Sequence, residues 1–169
     1  TIAAHERRLT MQAVELLRMC LNAGYDRAQT LTAVNGMMLL AGQGERVTTV
    51  DLFLLDLWTG KASLDKLGAA GSYLMQAEGL SLLGGDALPL GILENVESGE
   101  KLMQLHQGDT LILLSDGVED AYENRQAMEE AIRDALTLET AQDAANAILT
   151  GAQSGDAAPA DDQTVLVLR

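Results

Sequence analysis

The chain has 169 residues, enough for one domain with a single sizeable core. Hydrophobic residues make up 47% and aromatics only 3%, so that core must be built from Leu, Val, Ile, Met and Ala. Eleven Lys and Arg against 25 Asp and Glu leave a net charge of −14, which argues against nucleic acid or an anionic membrane as a partner. A solvated acidic surface is the commoner meaning of such a balance; a site for divalent cations is the functional one. Cys20 is the single cysteine, which excludes an internal disulfide and fits a reducing compartment. No apolar run approaches the roughly 20 residues that span a bilayer, and the first residues carry no signal-peptide pattern. The expectation is a soluble, cytoplasmic chain.

Leu9, Ala13, Leu16, Leu17, Cys20 and Leu21 recur at helical spacing, and Gly24 supplies a stop. A second helix is predicted from the N-cap Asp26, with Leu31, Val34, Met38 and Leu39 on one side and Gly42 beyond its end. The two helices should pack together, with Met37 and Met38 as core filler. From Val47 the period changes to two, which predicts a long strand to Leu57. Trp58-Thr59-Gly60-Lys61 then turns into a strand over Ala62–Leu67. Ser72–Gln76 and Leu80–Leu83 form a hairpin about Glu78-Gly79. Ala87–Ile92 is a loop around Pro89 and Gly91. Lys101–Leu105 and Thr110–Leu114 are expected to pair with each other across Gln107-Gly108-Asp109.

Helices return after Asp116, over Arg125–Leu136 and Thr140–Thr150, the latter with Thr140 and Asp143 spaced as a capping box. Gly151–Ala160 is rich in Gly, Ala and Asp and reads as mobile. Asp161-Asp162-Gln163-Thr164 leads into a closing strand, Val165–Leu168. Helices, then antiparallel strands, then helices and one last strand indicate a layered α+β domain rather than alternating βαβ units. One domain is expected over residues 1–169.

Conventional catalytic groups are thin. His5 and His106 have no sequence context for a base, and Ser72 and Ser115 none for a nucleophile. No Walker-type phosphate loop or Cys/His zinc spacing is present. Asp51 and Asp56 lie five apart in one predicted strand, on opposite faces, so at least one is a structural residue. What remains is Asp116, delivered at the end of an apolar strand with Gly117 behind it, together with Asp161 and Asp162. Two carboxylates about 4 Å apart repel by about 4 kcal/mol at an effective dielectric near 20. Such a pair persists when a proton or cation is shared, and hard oxygen ligands prefer Mg²⁺ or Mn²⁺. The plainer alternative is that Asp116 caps the following turn and the Asp pair caps the last strand.

Six segments, in order, resemble the metal-dependent PPM (PP2C-type) protein phosphatases, in the bacterial branch typified by the stage II sporulation protein E phosphatase. They are Leu21-Asn22-Ala23-Gly24-Tyr25, Thr49-Val50-Asp51-Leu52 into Leu55-Asp56-Leu57, and Lys66-Leu67-Gly68-Ala69-Ala70. Leu88-Pro89-Leu90-Gly91-Ile92, Gly108-Asp109 through Ser115-Asp116-Gly117, and Asp161-Asp162-Gln163-Thr164-Val165 complete the set. The resemblance implies an α-β-β-α sandwich and a binuclear Mn²⁺ or Mg²⁺ centre. It implies that a metal-activated water hydrolyses phosphoserine or phosphothreonine on a phosphoprotein substrate directly, in bacterial signalling or sporulation-type regulation. By position, Asp116 and Asp161 match metal ligands through which catalysis runs, and Asp162 matches a neighbouring acid at the metal site.

Three departures accompany the match. The family's N-terminal acid-bearing strand and Asp-Gly-Met-Gly loop have no counterpart; Gln163 stands for a hydrophobic residue, and Gly71 for a common Pro before Ser72. The chain therefore reads as an N-terminally truncated phosphatase domain with an incomplete metal site that binds metal weakly. The alternative is a non-catalytic, phosphatase-like interaction module of a larger signalling protein. A truncated sandwich would leave sheet edges unpaired, so a homodimer is expected.

Overall fold

A computed structural model describes residues 2–42, 47–96, 99–154 and 161–169 of the chain. The described chain forms two compact units. One comprises Thr1–Leu52, Asp65–Gly68 and Asp86–Glu100; the other comprises Phe53–Leu64, Ala69–Gly85 and Lys101–Arg169.

In the first unit, α1 (Ile2–Asn22) packs against α2 (Arg27–Gly42). Leu9, Ala13 and Cys20 of α1 and Leu31, Val34 and Met38 of α2 are buried, as their helical spacing requires. Gly24 ends α1 with φ of 84°. Asp26 caps α2 in a reciprocal box: its Oδ1 accepts from Gln29 N at 2.8 Å, while Asp26 N donates to Gln29 Oε1 at 3.0 Å. The Arg27 guanidinium then forks between the fully buried Asp65 and Glu100, the latter at 3.1 Å. Buried Lys66 is neutralised by Asp51, 2.7 Å from its Nζ. Buried Asn35 pins the Pro89 loop by accepting from Gly91 N and donating to the carbonyls of Leu93 and Glu94.

The strands are β1 (Val50–Leu55), β2 (Lys61–Leu67), β3 (Ser72–Gln76), β4 (Gly79–Leu83), β5 (Lys101–Gln104), β6 (Thr110–Leu114) and β7 (Val165–Leu168). They form two sheets, ordered β1-β2-β5 and β4-β3-β6-β7. The first strand is shorter than its apolar pattern suggests. Asp56 Oδ1 accepts from Trp58 N and Thr59 N, an Asx turn that ends β1 early, and Thr48 joins Leu90 only through an isolated bridge.

The expected β5–β6 hairpin is not formed. β5 pairs antiparallel with β2, Lys61 opposite Gln104, whereas β6 pairs with β3 on one side and β7 on the other. The turn before β6 is real, and Gly108 has φ of 99° there. It is closed by Asp109, whose Oδ2 accepts from His106 N and from Gln76 Nε2. It delivers the chain to β3 rather than folding it back on β5.

In the second unit, α3 (Asp116–Glu119), α4 (Arg125–Ala135) and α5 (Ala141–Ala152) cover one face of the four-stranded sheet. Tyr73, Ile112 and Leu114 of the sheet meet Val118, Met128, Ile132, Ala144 and Ile148 of the helices in one core. Asn124 caps α4 and Thr140 caps α5, accepting from Ala127 N and Asp143 N respectively. α5 runs through Ala152, so Gly151 and Ala152 are helical rather than part of the loop expected from Gly151 onward. Residues 155–160 of that expected loop lie outside the described residues. No helix among the described residues is long and apolar enough to cross a membrane.

Candidate metal centre

The apolar run Thr110–Leu114 is buried at four of its five positions, so its charged continuation has to emerge at the sheet edge. The β6–β7 ladder extends one step beyond its last strand pair, Leu114 with Val165. Ser115 N donates to Thr164 O at 3.0 Å. On the other side of that step the Ser115 hydroxyl substitutes for backbone, accepting from Thr164 N at 2.9 Å and donating to Asp162 O at 3.1 Å. One hydroxyl uses both of its capacities to hold the two acid-bearing turns side by side.

Asp116 follows as the first residue of α3 and is exposed; Asp161 and Asp162 are exposed as well. Asp116 Oδ1 accepts from Gly117 N at 2.9 Å, and Asp161 Oδ1 accepts from Asp162 N at 2.7 Å, so each carboxylate is oriented by the next peptide. Gly117, by contrast, is buried. A Cβ placed on it would lie 2.6 Å from Asp162 O and 3.2 Å from the Asp161 carbonyl carbon. The backbone of Asp161 and Asp162, with the Asp162 carbonyl nearest, therefore occupies the space a side chain at 117 would fill. This contact brings the Asp116 turn against the Asp161 turn.

The donor set is hard oxygen on two turns in backbone contact, which fits Mg²⁺ or Mn²⁺ in kind. Among the described residues no three His, Cys, Asp or Glu side chains gather as a ready metal cluster. The turns converge through their peptides, and the carboxylates project from them into solvent.

Other residues considered from the sequence have structural duties. Asp51 neutralises Lys66, and exposed Asp56 shapes the turn after β1, its carboxyl held below the usual range by hydrogen bonds from the Thr59 side chain and the Trp58 and Thr59 amides. His106 is exposed, with its ring nitrogen 3.6 Å from Asp109. The His5 side chain lies outside the described residues. Ser72 is buried at the start of β3. Two residues that the sequence pattern does not assign to the site take part in its framework. Ser115 bridges the turns as described, and Gln163 donates from Nε2 to Gly117 O at 3.0 Å. The available signal for both was position alone, immediately beside the acids.

A sequence profile described as stage II sporulation protein E (SpoIIE) matches residues 6–169. The stage II sporulation protein E of Priestia megaterium is 27% identical over 107 residues, which cover 63% of this chain and 18% of that protein. The aligned part is thus less than a fifth of that curated relative. Among solved structures, the PP2C phosphatase domain of SpoIIE from Bacillus subtilis with a fragment of its regulatory domain superposes with a TM-score of 0.81 and 25% identity. That match covers 94% of this chain and 48% of the other. The catalytic domain of the serine/threonine phosphatase PstP, in complex with two manganese ions, superposes with a TM-score of 0.70 at 19% identity, over 93% of this chain and 79% of that one. The α+β class and PP2C-like architecture expected from the sequence are those observed. By the extent of these matches, the chain belongs to the stage II sporulation protein E family and has the fold of its PP2C-type phosphatase domain.

Proposed function

We propose that this chain is a phosphatase domain that hydrolyses phosphoserine or phosphothreonine on a phosphoprotein, with Mn²⁺ or Mg²⁺ held by Asp116 and Asp161 and supported by Asp162. The observation that carries this reading is the packing of the Asp161 and Asp162 backbone, the Asp162 carbonyl foremost, on side-chain-less Gly117, which sets two acid-bearing turns together. Family membership supports the reaction class, and the two manganese ions of PstP support the choice of metal. When bound, such an ion supplies Lewis acidity toward phosphoryl oxygens and lowers the pKa of a coordinated water.

This chain's own residues supply the framework. Asp116 and Asp161 offer exposed carboxylates whose planes are set by neighbouring amides. Ser115 locks the spacing of the two turns, and the apolar core beneath α3 anchors Val118. The single cysteine, Cys20, is buried and free, in keeping with a reducing cytoplasm as the working compartment. Sporulation-type regulation is the matching physiological setting, by analogy with the relatives' names. A homodimer paired through an outer strand, β4 or β7, belongs to the same proposal; a monomer by light scattering at high concentration removes that element alone.

The test is Mn²⁺-dependent hydrolysis of phosphoserine peptides by the full-length protein and its Asp116→Asn variant. A loss of about 10³-fold, the scale for removing a principal electrostatic element, is expected. Unchanged turnover in Asp116→Asn overturns the assignment.

A further inference from the structure

Gly71 and Gln163 both donate a hydrogen bond to α3. Gln163 Nε2 donates to Gly117 O at 3.0 Å, and Gly71 N donates to Glu119 Oε2 at 3.2 Å. A Pro at 71 would have no N–H, and an apolar residue at 163 would have no amide. Neither bond would survive such a substitution. The helix they hold is one turn long and begins with Asp116; the amides of Asp120, Ala121 and Tyr122 donate to the carbonyls of Asp116, Val118 and Glu119, and Gln163 serves that of Gly117.

The geometry points to Gln163 as a positioning residue for Asp116, with the Gly71–Glu119 bond as a second tether on the opposite end of α3. Gln163 reaches back from the turn that carries Asp161 and Asp162 to the carbonyl of Gly117, the residue immediately after Asp116. It thereby fixes the Asp116 turn relative to the Asp161 turn, in addition to the Ser115 bridge. This inference rests on the reading of Asp116 and Asp161 as metal ligands.

The other end of the amide distinguishes positioning from mere stability. Gln163 Oε1 is buried with no hydrogen-bond partner among the described residues. Rotating the amide would relieve nothing, because it would set Oε1 against the Gly117 carbonyl, acceptor against acceptor. A half-satisfied buried amide is a poor choice for stability, since an apolar residue of the same shape avoids the unpaired oxygen. Replacing Gln163 by Met should therefore leave the fold as stable or more so while loosening Asp116. A purely structural residue would behave in the opposite way.

Full-length wild type, Gln163→Met, Gln163→Leu, Glu119→Ala and Asp116→Asn are each titrated with Mn²⁺ by calorimetry, with the Mn²⁺ paramagnetic resonance spectrum and the metal-free Tm recorded alongside. For Gln163→Met the Mn²⁺ Kd is expected to rise about three- to tenfold, the equivalent of one net hydrogen bond. Its resonance spectrum should change and its metal-free Tm should hold or rise, with Glu119→Ala showing a smaller change in Kd. If Gln163→Met and Gln163→Leu bind Mn²⁺ as wild type does while Asp116→Asn binds weakly, the positioning role is wrong and the metal reading stands. If Asp116→Asn also binds as wild type, the metal reading fails and this inference with it. If both Gln163 variants are unfolded, or lose Tm without a change in Kd, Gln163 is a fold determinant and the inference is overturned.

Discussion

Gly117 lies against the carbonyl of Asp162 so closely that a Cβ there would meet the oxygen at 2.6 Å and the carbonyl carbon at 3.1 Å. Both obstructing atoms are backbone, so no side-chain rotation can relieve the clash. Gly117→Ala is therefore expected to push the two acid turns apart, at a cost of about 1–3 kcal/mol as for other overpacked sites. The urea midpoint should fall and the Mn²⁺ Kd of the full-length protein should rise together. A variant with a wild-type midpoint and wild-type Kd would mean that the two turns move independently.

Lys66 and Asp51 form the most enclosed ion pair described, with side-chain exposures of 0% and 15%. Charge removed from one side leaves the other in a low-dielectric setting, which for buried pairs costs about 3–5 kcal/mol. Because Asp51 retains some access to water, Lys66→Met is placed at the low end, about 3 kcal/mol. The Lys66→Met/Asp51→Leu double variant should be less destabilised than Lys66→Met alone. Urea unfolding of the four proteins in the cycle measures this; strict additivity would show that the two charges do not interact.

Gly68 combines two demands at the end of β2. Its φ is +66°, and a Cβ would fall 2.2 Å from Pro89 Cγ. The left-handed backbone alone costs an alanine about 1–2 kcal/mol, and the collision adds to it. Gly68→Ala should lose about 3 kcal/mol by urea unfolding. Adding Pro89→Gly should recover the part due to the ring, but not the part due to φ or to the residue-89 backbone nitrogen 2.9 Å away, so full recovery would show that neither is the constraint.

Legibility in the sequence followed the range of the interactions. The helices were readable because their determinants are local: apolar spacing, the Asp26 and Thr140 caps, and the left-handed Gly24. The fold class and the strand-end position of Asp116 were readable for the same reason. Pairing partners were not. A turn at Gln107-Gly108-Asp109 is a local property, but the choice between β5 and β3 as neighbour of β6 depends on burial of Ile112 and Leu114 against helices far along the chain. The framework of the site was likewise hidden. Ser115 and Gln163 act through bonds that span 46 to 49 residues, and neither residue type announces such a bond.

Asp109 gives the turn before β6 a pH-dependent staple. Its Oδ2 accepts from Gln76 Nε2 at 2.8 Å and His106 N at 2.9 Å. The Gln76 hydrogen bond, aided by the His106 amide and opposed by partial burial, holds its carboxyl below the usual aspartate range. The folded state thus binds the Asp109 proton less readily than the unfolded chain does. Its contribution to stability is fully present above the unfolded aspartate pKa of about 3.9, and is lost as pH falls through the lower folded value. Asp109→Asn removes the titrating charge, so its stability deficit relative to wild type should be constant near neutrality. Below about pH 4 the deficit should shrink, because wild type alone loses the staple there. Urea midpoints of both proteins between pH 7 and pH 3 provide the check. A deficit that stays constant or grows in acid would mean that Asp109 is held by its geometry and not by its charge.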